Sequence, residues 1–207
     1  PEAKAYDDDE KGRMGKDRRE PQHCKILPGL SVICRPTQEE ADADYEYLQS
    51  LIHPIVGREM LNTMLGHKVD LTQYDMDGPL PAMPDHDGGH YASIVAMATR
   101  ENLTIRQLGQ RVAGARAKNV IKGSPKFIAD YMQEWFEAEC CDGFTIMPAY
   151  IPGALDDFCA MVVPELQKRG LFRTEYEHDT LRGHLGVPRP ANQHVARNQF
   201  SGIPVRA

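Results

Sequence analysis

GSPKFIADYMQEWFEAECCDGFTIMPAY, residues 123–150, holds a helix start, an amphipathic helix, a turn and a strand in one short run. Ser124 can cap a helix whose first residue, Pro125, loses nothing by lacking an N–H. Phe127, Ile128, Tyr131, Met132, Trp135 and Phe136 recur at the three-and-four spacing of one buried helix face. After Cys140-Cys141-Asp142, the run from Gly143 to Met147 is apolar and closed by Pro148, which predicts a buried strand. A helix that passes straight into a buried strand is half of a repeating βα unit.

Upstream, Lys25 to Cys34 is apolar nearly throughout, as a strand covered on both faces of a parallel sheet should be. Pro28-Gly29 inside it predicts a bulge or kink, because proline donates nothing to a ladder. Thr37 with Glu40 three residues later forms a capping box and starts a helix with Ala41, Tyr45 and Leu48 on its buried side. A second helical segment follows Pro54 and stops at Gly66. From His67 to His90, apolar residues are scattered among Asp, Gly and three prolines, which reads as a long structureless connection of the lid or binding-loop kind. Helical patterns resume over Tyr91–Arg100 and again after Thr104, and Asn119 to Gly123 is long enough for one short strand. Downstream, Ala154–Arg169 is helical with a break or kink expected at Pro164, and Gly170 ends it. Residues 2–16 read as an exposed charged helix, and residues beyond Leu171 as a polar tail.

Helices alternating with strands imply an α/β fold with a parallel sheet. Three strands are too few for a closed eight-stranded barrel, and the first residue is Pro, so the chain is expected to begin partway through a longer protein. A net charge of −6 offers no basic surplus for phosphates and argues against non-specific nucleic-acid binding. No run reaches transmembrane length, so no membrane partner is expected. Five cysteines without ligand or framework spacing read as reduced thiols in a cytoplasmic protein.

Three segments together resemble a known family: KILPGLSVI (25–33), the run from Gly123 to Glu177, and TLRGHLGVPRP (180–190). Their DGF, MP, PG, LDDF, VPEL and RGLFR elements resemble the C-terminal half of flavin-dependent monooxygenases. The group is the nitrilotriacetate monooxygenase component A branch of the bacterial-luciferase-like superfamily. The resemblance implies the C-terminal part of a (β/α)8 TIM barrel over residues 1–190, with a long insertion at about 53–118 and a tail at 191–207. It makes Ile26–Cys34 the sixth barrel strand, Val120–Lys122 the seventh and Phe144–Met147 the eighth. It further implies reduced FMN as cofactor and O2 as co-substrate, with the reduced flavin (FMNH2) supplied by a separate NAD(P)H:flavin reductase. The substrate would be a small organic molecule of the amine, aminopolycarboxylate or organosulfur class, and the assembly a dimer or other homo-oligomer. Two departures stand out: Glu139-Cys140-Cys141, where the family has small residues, and Cys34-Arg35-Pro36, where it has a nearby glycine.

Within that frame Pro28, Gly29, Met147 and Pro148 are the flavin-contact candidates, since strand ends and kinks let backbone approach a ligand. His86, His90 and Tyr150 are the substrate-side candidates. His86-Asp87-Gly88-Gly89-His90 holds possible metal ligands, but no third or fourth ligand is spaced nearby and no metal is expected. Gly123-Ser124-Pro125 reads as a helix cap, with anion binding as the alternative. Asp156-Asp157 reads as first-turn acids favoured by the helix dipole, and Trp135 as core. The rival readings are a non-catalytic barrel fragment acting as an association module and, more distantly, a metal-dependent hydrolase built on the His86/His90 loop.

Overall fold

The computed structural model describes residues 2–16, 20–84, 89–115, 119–190 and 192. A three-stranded parallel sheet is made by β1 (Gly29–Cys34), β2 (Asn119–Gly123) and β3 (Thr145–Pro148). Around it lie α1 (Glu2–Lys16), α2 (Gln38–Ser50), α3 (Pro54–Met64), α4 (Gly89–Glu101) and α5 (Ile105–Ala115), then α6 (Pro125–Glu137), α7 (Gly153–Asp157), α8 (Val163–Lys168) and α9 (Leu181–His184). No helix among the described residues is long and apolar enough to cross a membrane.

The strand order is β2-β1-β3, with both neighbours parallel to β1. This corrects the assignment of sixth, seventh and eighth barrel strands. Consecutive strands of a barrel are neighbours, which would put β2 in the middle. Instead β1 and β3 pair directly, and β2 is an added strand on the far edge of β1 within the long crossover between them. A second correction concerns Pro28-Gly29. The strand begins at Gly29, so Pro28 stands at its entrance, and its carbonyl accepts the Thr145 N–H at 3.0 Å without interrupting the ladder.

Alternation along the strands divides the sheet. Leu30, Val32, Cys34 and Ile121 enter a core with Ile128, Ala129 and Met132 of α6 and with Phe158, Val162 and Leu166. Ser31 and Ile33 fall on the other face, in register with Val120, Lys122 and Met147. Helix α6 starts as its sequence requires, with the Ser124 hydroxyl accepting the Phe127 N–H at 3.3 Å and Pro125 in the first turn. Its buried stripe is narrower than expected: Phe127 and Phe136 lie one position to the side of Ile128, Met132 and Trp135 and stand half exposed.

A second core joins α3, α4 and α5 through Leu61, Leu65, Ile94, Ile105, Leu108 and Val112. Residues 67–84 are part of it and not a structureless lid. Leu71 is fully buried, and Met76, Leu80 and Met83 pack on the same cluster. The Ile105 and Arg106 N–H groups bond the carbonyls of Gly78 and Met76 at 2.9 and 2.8 Å, and Pro79 bridges Thr104. Leucine and methionine side chains dispersed among prolines still bury enough surface to order the segment. Thr104 and Gln107 form a second capping box at 3.2 and 3.0 Å. At Pro164 the missing N–H is absorbed by one wide π turn, Phe158–Val162, between α7 and α8.

Two backbone sites make opposite demands. Helices α3 and α5 touch at Gly57 and Gly109, where a Cβ on Gly109 would stand 2.9 Å from the Gly57 carbonyl carbon. The end of α6 is a Schellman turn, with Glu139 N–H to Phe136 O and Cys140 N–H to Trp135 O both at 3.0 Å. Its left-handed position is held by Glu139 at φ 54°, a conformation that disfavours a side chain. Gly109→Ala is therefore expected to destabilise by about 1–3 kcal/mol through overpacking. Glu139→Gly is expected to stabilise by about 1 kcal/mol. Urea denaturation of both variants measures the pair, and a stabilised Gly109→Ala would contradict the packing described.

Candidate active-site edge

Because the strands are parallel, Cys34, Gly123 and Pro148 all end on one edge of the sheet. The residues that follow them, Arg35, Ser124 and Tyr150, therefore converge there. Arg35 organises this edge. Its backbone N–H donates to the Gly123 carbonyl at 3.1 Å, tying β1 to β2. Its Nε donates to Asp44 of α2 at 2.6 Å, and its Nη2 to the Tyr150 hydroxyl at 2.6 Å. Its Nη1 pairs with Asp157 of α7. Asp157 is thus an ion-pair partner first and not merely a dipole-favoured acid.

Partial burial works against the guanidinium charge, but the hydrogen bonds that Arg35 donates to Asp157 and Tyr150 outweigh it and hold the Arg35 pKa above its ordinary value. The neighbouring Cys34 thiol is pushed up to about 11, first by burial and then by the Asp157 charge, against the opposing effect of Arg35. At neutral pH it is protonated, which removes it as a nucleophile.

Of the sequence candidates, Met147, Pro148 and Tyr150 lie together on this carboxyl edge. Pro28 and Gly29 do not: they sit at the amino end of β1, where Gly29 pairs with Thr145. Three residues of extended chain, roughly 10 Å, separate Gly29 from the level of Pro148. His86 lies outside the described residues. The backbone of His90 is in the first turn of α4, and its side chain also lies outside the described residues. The Gly123-Ser124 corner is filled by the chain's own groups. Gln38 Nε2 donates to Lys122 O at 3.2 Å, and a Cβ on Gly123 would meet Gln38 Oε1 at 2.7 Å and Phe127 Cδ1 at 2.8 Å. The cap reading of Ser124 therefore describes this corner. No group of three or more His, Cys, Asp or Glu residues suited to a metal occurs among the described residues.

Sequence reasoning did not find Arg35, although a signal was there: an arginine directly between a buried strand and a capping box has nowhere to go but the sheet edge. Asp44, Tyr150 and Asp157 are 9, 115 and 122 residues from it, so no local pattern joins them.

A parallel α/β unit of this kind, with side chains gathered at the carboxyl edge, is the architecture of part of a luciferase-like monooxygenase. No family model matches the chain. It is 49% identical over 194 residues to nitrilotriacetate monooxygenase component A from Aminobacter aminovorans, a match covering 92% of this chain and 43% of that protein. It is 43% identical over 181 residues to N-acetyl-S-(2-succino)cysteine monooxygenase from Bacillus subtilis strain 168, covering 86% of this chain and 41% of the relative. Among solved structures, DmoA from Hyphomicrobium sulfonivorans is similar with a TM-score of 0.76 at 27% identity, over 88% of this chain and 38% of DmoA. The chain belongs, as a part-length homologue, to the luciferase-like monooxygenases of the nitrilotriacetate monooxygenase component A group. It spans less than half the length of these curated relatives.

Arg35→Met is expected to lower stability by about 1–3 kcal/mol, because two carboxylates and a phenol lose their shared donor. Tyr150→Phe, which removes one of those bonds and leaves the ion pairs, should cost about 1 kcal/mol or less. Paired chemical-denaturation curves test the ranking, and equal losses in the two variants would contradict the hub assigned to Arg35.

Proposed function

We propose that this chain supplies the carboxyl-edge portion of an FMNH2-dependent monooxygenase that oxygenates a small organic substrate with O2. The observation that carries the reading is the convergence of Met147, Pro148 and Tyr150 at the edge fastened by Arg35, in a chain homologous to monooxygenases. Reduced FMN, when bound, supplies the electrons that activate O2.

The residues fit one side of a flavin. Met147 is half-buried on the sheet face that the core leaves uncovered, and Pro148 ends the ladder without presenting an N–H. Met147 on that face, and Pro148 at the strand's exit in register with the core-facing Val32, offer two apolar contacts at the carboxyl edge. The Tyr150 oxygen accepts from Arg35, so its own proton is directed to a different acceptor, and a hydrogen bond to flavin or substrate is the role assigned to it. Arg35 acts through Tyr150 as a positioning residue. The flavin contact is assigned to Met147 and Pro148 and not to Pro28 and Gly29, which face the opposite end of the strands.

Residues of about 53–118, whose described part has its own α3–α5 core, are assigned as the insertion, and His86 and His90 as substrate-side candidates. Because β1 and β3 are neighbours, they are assigned as consecutive barrel strands, with β2 an addition to the crossover. A separate NAD(P)H-dependent reductase provides the reduced flavin in the cytoplasm. The substrate belongs to the amine, aminopolycarboxylate or organosulfur class. A second reading, an association module, draws on one observation: Tyr47, Leu51, Ile55 and Val56 leave an apolar row more than half exposed along α2 and α3. That row equally suits the contact surface of a homo-oligomer.

Titration of FMN with the protein, followed by flavin fluorescence, is expected to show saturable quenching that Met147→Glu weakens about tenfold by placing a charge against the ring. Unsaturable quenching at near-millimolar protein, unchanged by Met147→Glu, would overturn the flavin reading and leave the association module.

A further inference from the structure

The amino edge of the sheet carries two thiols on neighbouring chains, at the end opposite Arg35. The ladder between β1 and β3 begins at Gly29 and Thr145, but the two chains meet earlier. Thr145 N–H donates to Pro28 O at 3.0 Å. Further back, Asp142 N–H donates to Ile26 O, and the Asp142 carboxylate accepts the Ile26 N–H, both at 2.9 Å. Between those bonds a Cβ on Gly143 would meet the Leu27 side chain at 3.0 Å. Two residues before Ile26 stands Cys24, and two residues before Asp142 stands Cys140.

Ion pairs brace the same place. Lys25 and Lys11 lie 3.7 and 3.1 Å from Asp142, and Lys4 lies 3.1 Å from Glu139. Lysines thus fasten both flanks of Cys140-Cys141, to α1 and to the lead into β1. Cys24 itself is extended, at φ −95° and ψ 116°. The thiols of Cys24 and Cys140 are both free and half-buried. The other three are placed differently. Cys34 ends β1 at the opposite edge and is buried, Cys141 is buried, and Cys159 is exposed on the π turn.

We infer that Cys24 and Cys140 are a redox pair that closes to a disulfide when the protein meets a peroxide. Neighbouring parallel chains stand about 5 Å apart, inside the roughly 4.4–6.8 Å between Cα atoms that a disulfide spans. One thiolate attacks hydrogen peroxide and becomes a sulfenic acid, with release of water. The second thiol displaces that hydroxyl, which forms the S–S bond and a second water. Two thiols lose two electrons and two protons in all, and one peroxide becomes two waters. A dithiol reductant reopens the bond by exchange. Closure pins the entrances of β1 and β3 together, so this strand pair is fastened at its amino end as Arg35 fastens it at its carboxyl end.

Thiol counting, intact mass and melting curves on the full chain, before and after hydrogen peroxide, test the pair. Three of the five thiols should remain, and the chain should be lighter by two hydrogens and not joined to another. The melting midpoint should rise by roughly 5–10 °C, and dithiothreitol should reverse the change. Cys24→Ser and Cys140→Ser should each abolish the mass change and the melting shift, whereas Cys141→Ser and Cys159→Ser should keep both. Tandem mass spectrometry of the linked peptides from the unsubstituted chain names the two cysteines whatever the stability of the variants. A bond from Cys24 to Cys141, a bond between chains, or an unchanged mass and melting midpoint after peroxide overturns the inference.

Discussion

The rest of the structure depends on the position of β1, a strand paired on both edges with its alternate side chains committed to different faces. Leu30, Val32 and Cys34 are nearly inaccessible to water, and their burial fixes α6 and α8 against one side of the sheet. With both ladders occupied, β1 can shift only by moving β2 and β3 with it. A slip of one residue would carry Leu30 and Val32 out of the core. That coupling holds residues from Arg35 to Tyr150 on one edge although they are far apart in sequence.

Arg35 turns that geometric edge into a mechanically defined one. A guanidinium offers several donors in a rigid plane, and here they reach α2, α7 and the exit of β3 at once. Lysine, with one compact ammonium, could not span those three directions. The two sides of the sheet then differ in purpose. One is filled by hydrophobic packing. The other carries Ile33, which is buried, together with Met147, Val120 and Lys122, and the last two face α4 and α5 across an open cleft.

Local chemistry was legible in the sequence wherever partners lie within one turn. The Thr37–Glu40 capping box, the Ser124 cap and the disturbance at Pro164 all appear where residue types and spacing place them. Strand existence was legible too, because apolar runs closed by Pro148 or followed by Arg35 have few alternatives. Strand order was not. A run such as Asn119 to Gly123 pairs with β1 through backbone groups that every residue carries, so nothing in its side chains says which neighbour it takes. The segment after His67 misled because its apolar residues have no period, and Leu71, Met76 and Leu80 are buried one at a time by a surface made elsewhere. At the candidate site, Met147, Pro148 and Tyr150 were within reach of sequence reasoning, since Met147 and Pro148 close an apolar run and Tyr150 follows it, although β3 is only partly buried and not the buried strand that run suggests. Arg35, Asp44 and Asp157 were not, because an ion pair across 122 residues leaves no local trace.

The central claim is that the carboxyl edge of the sheet, and not its amino edge, is the end that meets the flavin. Hydrogen–deuterium exchange with and without FMN measures this directly. The account predicts slower exchange on FMN addition in the segments around Arg35 and around Ala149–Tyr150, with the amides of residues 25–29 unchanged. Protection gained at residues 25–29 with none at Arg35 or Tyr150 would contradict it.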